Sequence, residues 1–103
     1  MILELHAEAI GELEAEIDWY EARTPGLGEA FLREVSRALD VIAASPRMWP
    51  VWPQWRGRTS VRRFVLARFP FSIAFLTPRG RVVVVAIAHG RRRPGYCRGR
   101  LRQ

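Results

Sequence analysis

The sequence predicts an α+β protein in which a helical hairpin covers one face of an antiparallel sheet. Three observations carry that expectation. Two stretches in the first half repeat apolar residues at helical spacing, with a Thr-Pro-Gly break between them. Three later stretches are rich in β-branched and aromatic residues and are bounded by turn signals. Neither helix can bury its apolar stripe against the other alone, so a sheet must cover both, giving the order β-α-α-β-β-β within a single domain, 1–103.

Residues 1–6 alternate weakly and are expected as a short strand, which places His6 in that strand. Residues 7–23 form the first helix, with Ile10, Leu13, Ile17 and Tyr20 on one face. Its other faces are acidic: Glu8, Glu12 and Glu16 stand four apart, and Glu14 precedes Asp18 by one turn. Like charges at that spacing weaken a helix slightly, so the row reads as a solvated outer face; the competing reading is attraction to a distant basic region. Thr24-Pro25-Gly26 ends the helix. Residues 28–44 form the second, with Phe31, Val35, Leu39 and Ile42 inward and Glu29 placed to pair with Arg33.

After Ser45-Pro46, the segment 48–55 reads Met-Trp-Pro-Val-Trp-Pro-Gln-Trp. Trp49, Trp52 and Trp55 recur every three residues, and a polyproline II conformation would put all three indoles on one side. They read either as an apolar strap over the core or as a contact surface for a partner. Residues 60–67, 71–77 and 82–88 then read as strands. The last is a continuous β-branched run, as expected of a central strand covered on both faces. The tail, 90–103, is Gly-rich and basic, either irregular or a short helix.

Charge is divided along the chain. All ten acidic side chains lie in residues 1–40, while residues 41–103 hold fourteen arginines and no acid, and the whole chain carries +7. Cations without local counter-charge repel one another, so they are expected to meet something anionic: nucleic acid, an acidic protein segment, or the chain's own first half. Every basic residue is arginine rather than lysine. The longest apolar run, 82–88, is too short to cross a bilayer, and no basic segment opens the chain as in a secretory leader. Cys97 is the sole cysteine, so no internal disulfide can form, and a cytoplasmic location is expected.

Arg62, Arg63 and Arg68 flank the first strand of the meander; Arg91, Arg92 and Arg93 follow its last strand, with Arg98, Arg100 and Arg102 beyond. Antiparallel neighbours can bring these clusters together on the uncovered sheet face or along one edge, where cations and rings suit phosphate and exposed bases. His89, beside several arginines, suits a general base or a strand-end hydrogen-bonding role. Tyr96 suits proton donation or packing on the sheet. Basic neighbours are expected to lower the Cys97 thiol pKa, but no acid or amide nearby completes a triad. No metal-ligand spacing, P-loop or dinucleotide fingerprint occurs, so no cofactor is expected.

Trp19-Tyr20-Glu21, Pro25-Gly26-Leu27-Gly28-Glu29-Ala30-Phe31, Arg68-Phe69-Pro70-Phe71, Val83-Val84-Val85-Ala86-Ile87-Ala88-His89 and Arg92-Arg93-Pro94-Gly95-Tyr96 occur in this order. In them the chain resembles the RelE/ParE superfamily toxins of bacterial type II toxin–antitoxin systems, nearer the ParE-like, plasmid-stabilisation branch. The resemblance implies a toxin held in a hetero-oligomer by a cognate antitoxin. The antitoxin's flexible acidic C-terminal segment lays apolar side chains into grooves beside the hairpin and sheet. ParE-type members poison DNA gyrase, whereas RelE-type members are endoribonucleases that cut mRNA on the ribosome as a ribose 2′-OH attacks phosphate.

Carried onto this chain, the nuclease alternative makes Arg63, His89, Arg92 and Tyr96 the catalytic candidates. Arg62, Arg68, Arg91, Arg93 and Arg98 become target-binding candidates, and Trp49, Trp52 and Trp55 antitoxin contacts. Ser72 stands where such nucleases often carry arginine, and Tyr96-Cys97 replaces a Tyr-Trp pair frequent in ParE-like members. The first departure weakens the nuclease reading and puts gyrase or a similar nucleic-acid machine ahead of mRNA as target; the second implies different packing of the tail. A basic nucleic-acid-binding module without toxicity is the contrasting class.

Overall fold

The computed structural model describes residues 2–52, 60–90, 97 and 100. Its elements are β1 (Ile2–Leu5), α1 (Ala7–Arg23), α2 (Leu27–Ala44), β2 (Arg62–Val65), β3 (Phe71–Leu76) and β4 (Arg81–His89), with short 3-10 turns at Pro46–Met48 and Pro78–Gly80. His6 is not part of β1. It caps α1, its Nδ1 accepting the Glu8 N–H at 3.1 Å.

The hairpin turn depends on two glycines. Gly26 adopts a left-handed backbone, φ 89°, which costs a side-chain-bearing residue strain. Gly28 lies so close to α1 that an added Cβ would sit 2.5 Å from the Ile17 carbonyl oxygen. The Glu21 carboxylate accepts the N–H groups of Gly26 at 2.9 Å and Gly28 at 3.0 Å, satisfying the unpaired donors that open α2 and placing negative charge at its positive end.

The sheet order is β1-β4-β3-β2. β2, β3 and β4 form the expected antiparallel meander, while β1 joins the outer side of β4 in parallel, Leu3 opposite Val82 and Leu5 opposite Val84, so the sheet is mixed. β4 is thereby central, as its unbroken apolar run requires. The register slips at Ala74/Phe75, leaving Val85 as an extra residue in β4.

Apolar side chains gather on both faces. On the helix side, Phe31, Val35 and Ile42 of α2 meet Phe71, Ile73, Phe75, Val84 and Ile87. Rings of Tyr20, Phe31, Phe69 and Phe71 interlock there with centroids 5.0–5.2 Å apart. The opposite face, expected to be uncovered, instead carries a second cluster in which Trp52 and Cys97 cover Val61, Ala74, Val85, Ala86 and Ala88.

The tryptophans do not share one side. Pro50 accepts the Arg63 N–H at 2.9 Å and Trp52 donates to Val61 at 2.8 Å, so residues 50–52 run as an extra extended segment along β2. In an extended chain, residues three apart point to opposite faces. Trp49 accordingly packs on Phe64 of the helix-side core, 4.7 Å between centroids, while Trp52 is buried at 4 % exposure in the second cluster. Trp55 lies outside the described residues.

The acidic row of α1 is likewise only partly solvated. Glu12 accepts the Ile87 N–H at 3.0 Å and pairs with Arg100 at 2.9 Å. Among the described residues, no helix is long and apolar enough to cross a membrane.

Candidate functional site

A groove of about 200 Å³ runs between α2 and β2. Its α2 wall consists of Glu34, Arg37, Ala38 and Val41, the three- and four-residue spacing of a single helix face; Phe64 and Leu66 form the floor and Arg68 the rim. Glu34 accepts the Arg68 N–H at 3.0 Å and so docks the β2–β3 connection onto α2. Val41 remains 40 % exposed beside it, apolar surface that no described residue covers, while Val65, 60 % exposed, alternates with Phe64 and so faces the other side of β2. Arg37 and Arg68 are exposed and, among the described residues, pair with no carboxylate. Arg33, nearby, is held by Glu29 at 3.1 Å, the pairing expected from the spacing.

The same region exposes a strand edge. The Arg63 N–H bonds outward to Pro50, whereas the Leu66 N–H bonds inward to Phe71. Alternation then directs the Val65 N–H and C=O outward, where no described strand pairs with them. An apolar groove, an open edge and two unneutralised cations thus adjoin. Trp49 supports this site from beneath through Phe64.

Of the catalytic candidates, the two that lie among the described residues, His89 and Arg63, are on opposite faces of the sheet. His89 pairs with Phe71 across β4 and β3, and the two rings meet edge to face at 5.1 Å on the helix side. Arg63 pairs with Ala74, whose side chain belongs to the opposite face, and its guanidinium lies 5.9 Å from the Trp52 ring centroid. Its Nε is buried without a hydrogen-bond partner. Arg62 donates to the Trp49 carbonyl at 2.6 Å, so it braces the strap. Arg91, Arg92, Arg93, Tyr96 and Arg98 lie outside the described residues.

Of the arginines beyond Asp40, Arg81 pairs with Glu4 at 2.8 Å, and Arg100 with Glu12 at 2.9 Å and Glu8 at 3.4 Å. Arg47, Arg62, Arg63, Arg68 and Arg79 have no carboxylate partner within the described chain. Cys97 reverses its expectation: burial raises its thiol pKa and outweighs the lowering by Arg100. Among the described residues, no group of three or more His, Cys, Asp or Glu is placed to hold a metal ion.

Sequence reasoning missed Arg37 and the α2 wall. Arg37 lies in the acidic half, where no basic site was sought; its spacing from Glu34, Ala38 and Val41 was the available signal.

No curated protein sequence matches the chain. A solved structure, "Chromosomal ParDE TA system from P. aeruginosa", shares its fold with a TM-score of 0.74 at 20 % identity, covering 86 % of this chain and 95 % of that one. The family profile described as "ParE toxin of type II toxin-antitoxin system, parDE" matches residues 3–94. The α+β order, the hairpin over a mixed sheet and this match together place the chain in the ParE toxin family.

Proposed function

We propose that this chain arrests growth by acting on DNA gyrase or a similar nucleic-acid machine, and that a cognate antitoxin silences it. The observation that carries the antitoxin reading is the α2–β2 groove with the open Val65 edge beside it. An extended acidic segment satisfies all three features at once. Its backbone extends the sheet, an apolar side chain fills the space over Phe64 and Leu66, and its carboxylates meet Arg37 and Arg68. Trp49 contributes by supporting Phe64; Trp52 is interior and contributes stability.

A non-nucleolytic target fits better than mRNA because His89 and Arg63 occupy opposite faces of the sheet. A general base and a phosphate-binding cation must reach one scissile bond together. Arg62, Arg68, Arg91, Arg93 and Arg98 are the proposed target contacts.

The reading is tested by inducing the chain in bacteria, alone and with the product of its neighbouring gene. Arrest relieved by the neighbour is expected, and harmless accumulation of folded protein would overturn the proposal. Purified chain should inhibit gyrase supercoiling. New mRNA ends on ribosomes that disappear in His89→Ala or Tyr96→Phe would instead establish the nuclease alternative.

A further inference from the structure

A second cleft lies away from the groove, between the later half of α1 and the adjoining ends of β3 and β4. Two connected cavities of about 340 Å³ and 180 Å³ share Glu16, Phe71 and His89 as walls. Trp19, Tyr20, Phe71 and His89 form a row of rings along it, with successive centroids 5.1, 6.3 and 5.1 Å apart. Trp19 is 49 % exposed. Glu16 is half-buried and, among the described residues, makes no hydrogen bond or ion pair. A carboxylate among aromatic faces is complementary to a cation, the opposite preference to that of the arginine-rich second half.

The chain's own arginines mark both ends of this cleft. One turn before Glu16, Glu12 receives the Arg100 guanidinium through two contacts of 2.9 and 3.1 Å. One turn after it, the Arg23 guanidinium stacks over Trp19 at 4.1 Å from the ring centroid. Glu16 stands between them, and among the described residues no cation pairs with it. Burial and the Glu16 charge both raise the Tyr20 phenol pKa, so the field of this carboxylate reaches the rings.

We infer that the Glu16–Trp19–His89 cleft is a seat for the guanidinium of an arginine carried by a partner polypeptide. A flat guanidinium stacks on rings while donating a fork of hydrogen bonds to the carboxylate, which a compact ammonium does not. Nothing in this inference depends on the α2–β2 groove or on toxicity.

The test is a titration of the full chain with argininamide, followed by NMR of the assigned Trp19 indole N–H and the Gly90 amide. Saturable shifts of both are expected, with lysinamide weaker and glutamate inert. Glu16→Gln should weaken argininamide by about fivefold, as should Trp19→Ala, each removing one component of a partly exposed site. Glu14→Gln, on an exposed face of the same helix, should leave the affinity unchanged. Equal binding of lysinamide and argininamide, or shifts that persist undiminished in Glu16→Gln, would overturn the inference. So would the absence of saturation.

Discussion

The Glu21 carboxylate of α1 holds the backbone amide of Gly28, the second residue of α2, at 3.0 Å. One side chain thus does for the second helix what a capping residue does locally, because Gly26 in the N-cap position has no side chain to offer. Glu21→Ala should cost about 1 kcal/mol in urea unfolding, the usual value of a lost cap.

Gly28→Ala should be worse. Its Cβ would meet the Ile17 carbonyl oxygen at 2.5 Å, backbone that cannot rotate aside, so the helices must separate. A loss of about 1–3 kcal/mol is expected, read as a lower denaturation midpoint at unchanged m-value.

Trp52 and Trp19 differ sharply in burial, 4 % against 49 % exposed. Trp52→Ala opens a cavity beneath the strap and should cost about 3 kcal/mol, whereas Trp19→Ala should leave the midpoint nearly unchanged. Chemical denaturation of the two variants in parallel checks the contrast.

Cys97 gives a pH dependence with a definite sign. Its thiol pKa is raised in the fold from the ordinary 9.0, chiefly by burial, so the folded state keeps the proton that the unfolded chain releases. Stability is therefore complete below pH 9.0 and falls as pH rises through the ordinary thiol range. Tyr20, raised from 10.0 by burial and by Glu16, extends the decline. Cys97→Ala should flatten the first part of the curve, and thiol labelling of the native protein at neutral pH should be slow.

Glu12 and Arg100 join residues far apart in sequence, and both side chains are largely covered. A double-mutant cycle of Glu12→Gln and Arg100→Met should give a coupling of about 1–2 kcal/mol. Near-zero coupling would mean that Arg100 is held by its other contacts, among them the Val85 carbonyl and Glu8.

Both helices were legible because apolar spacing and the Thr-Pro-Gly break are local signals. The strands of the meander were legible through Pro70 and Pro78-Arg79-Gly80. The conformation of the strap was not: prolines spaced three apart imitate a threefold helix, while the bond Pro50 accepts from Arg63 and the one Trp52 donates to Val61 make it extended. The acidic row of α1 was read as solvent-facing, which fails at Glu12, and the roles of Glu21 and Glu34 went unread. Glu12, Glu21 and Glu34 each satisfy a main-chain N–H distant in sequence, and no pattern of charges announces which amide lacks a partner. His89 was assigned by its basic neighbours along the chain and Arg63 by resemblance, whereas alternation across the strands places them on different faces.

Among the described residues, β1 has one strand neighbour, β4, some eighty positions later, with Ile2 aligned to Arg81. During synthesis β1 must therefore wait, unpaired, until the long stretch up to β4 has been made. Such a distant closure delays the native state. Truncated nascent products lack the β4 edge onto which β1 must dock, and so never acquire the complete sheet.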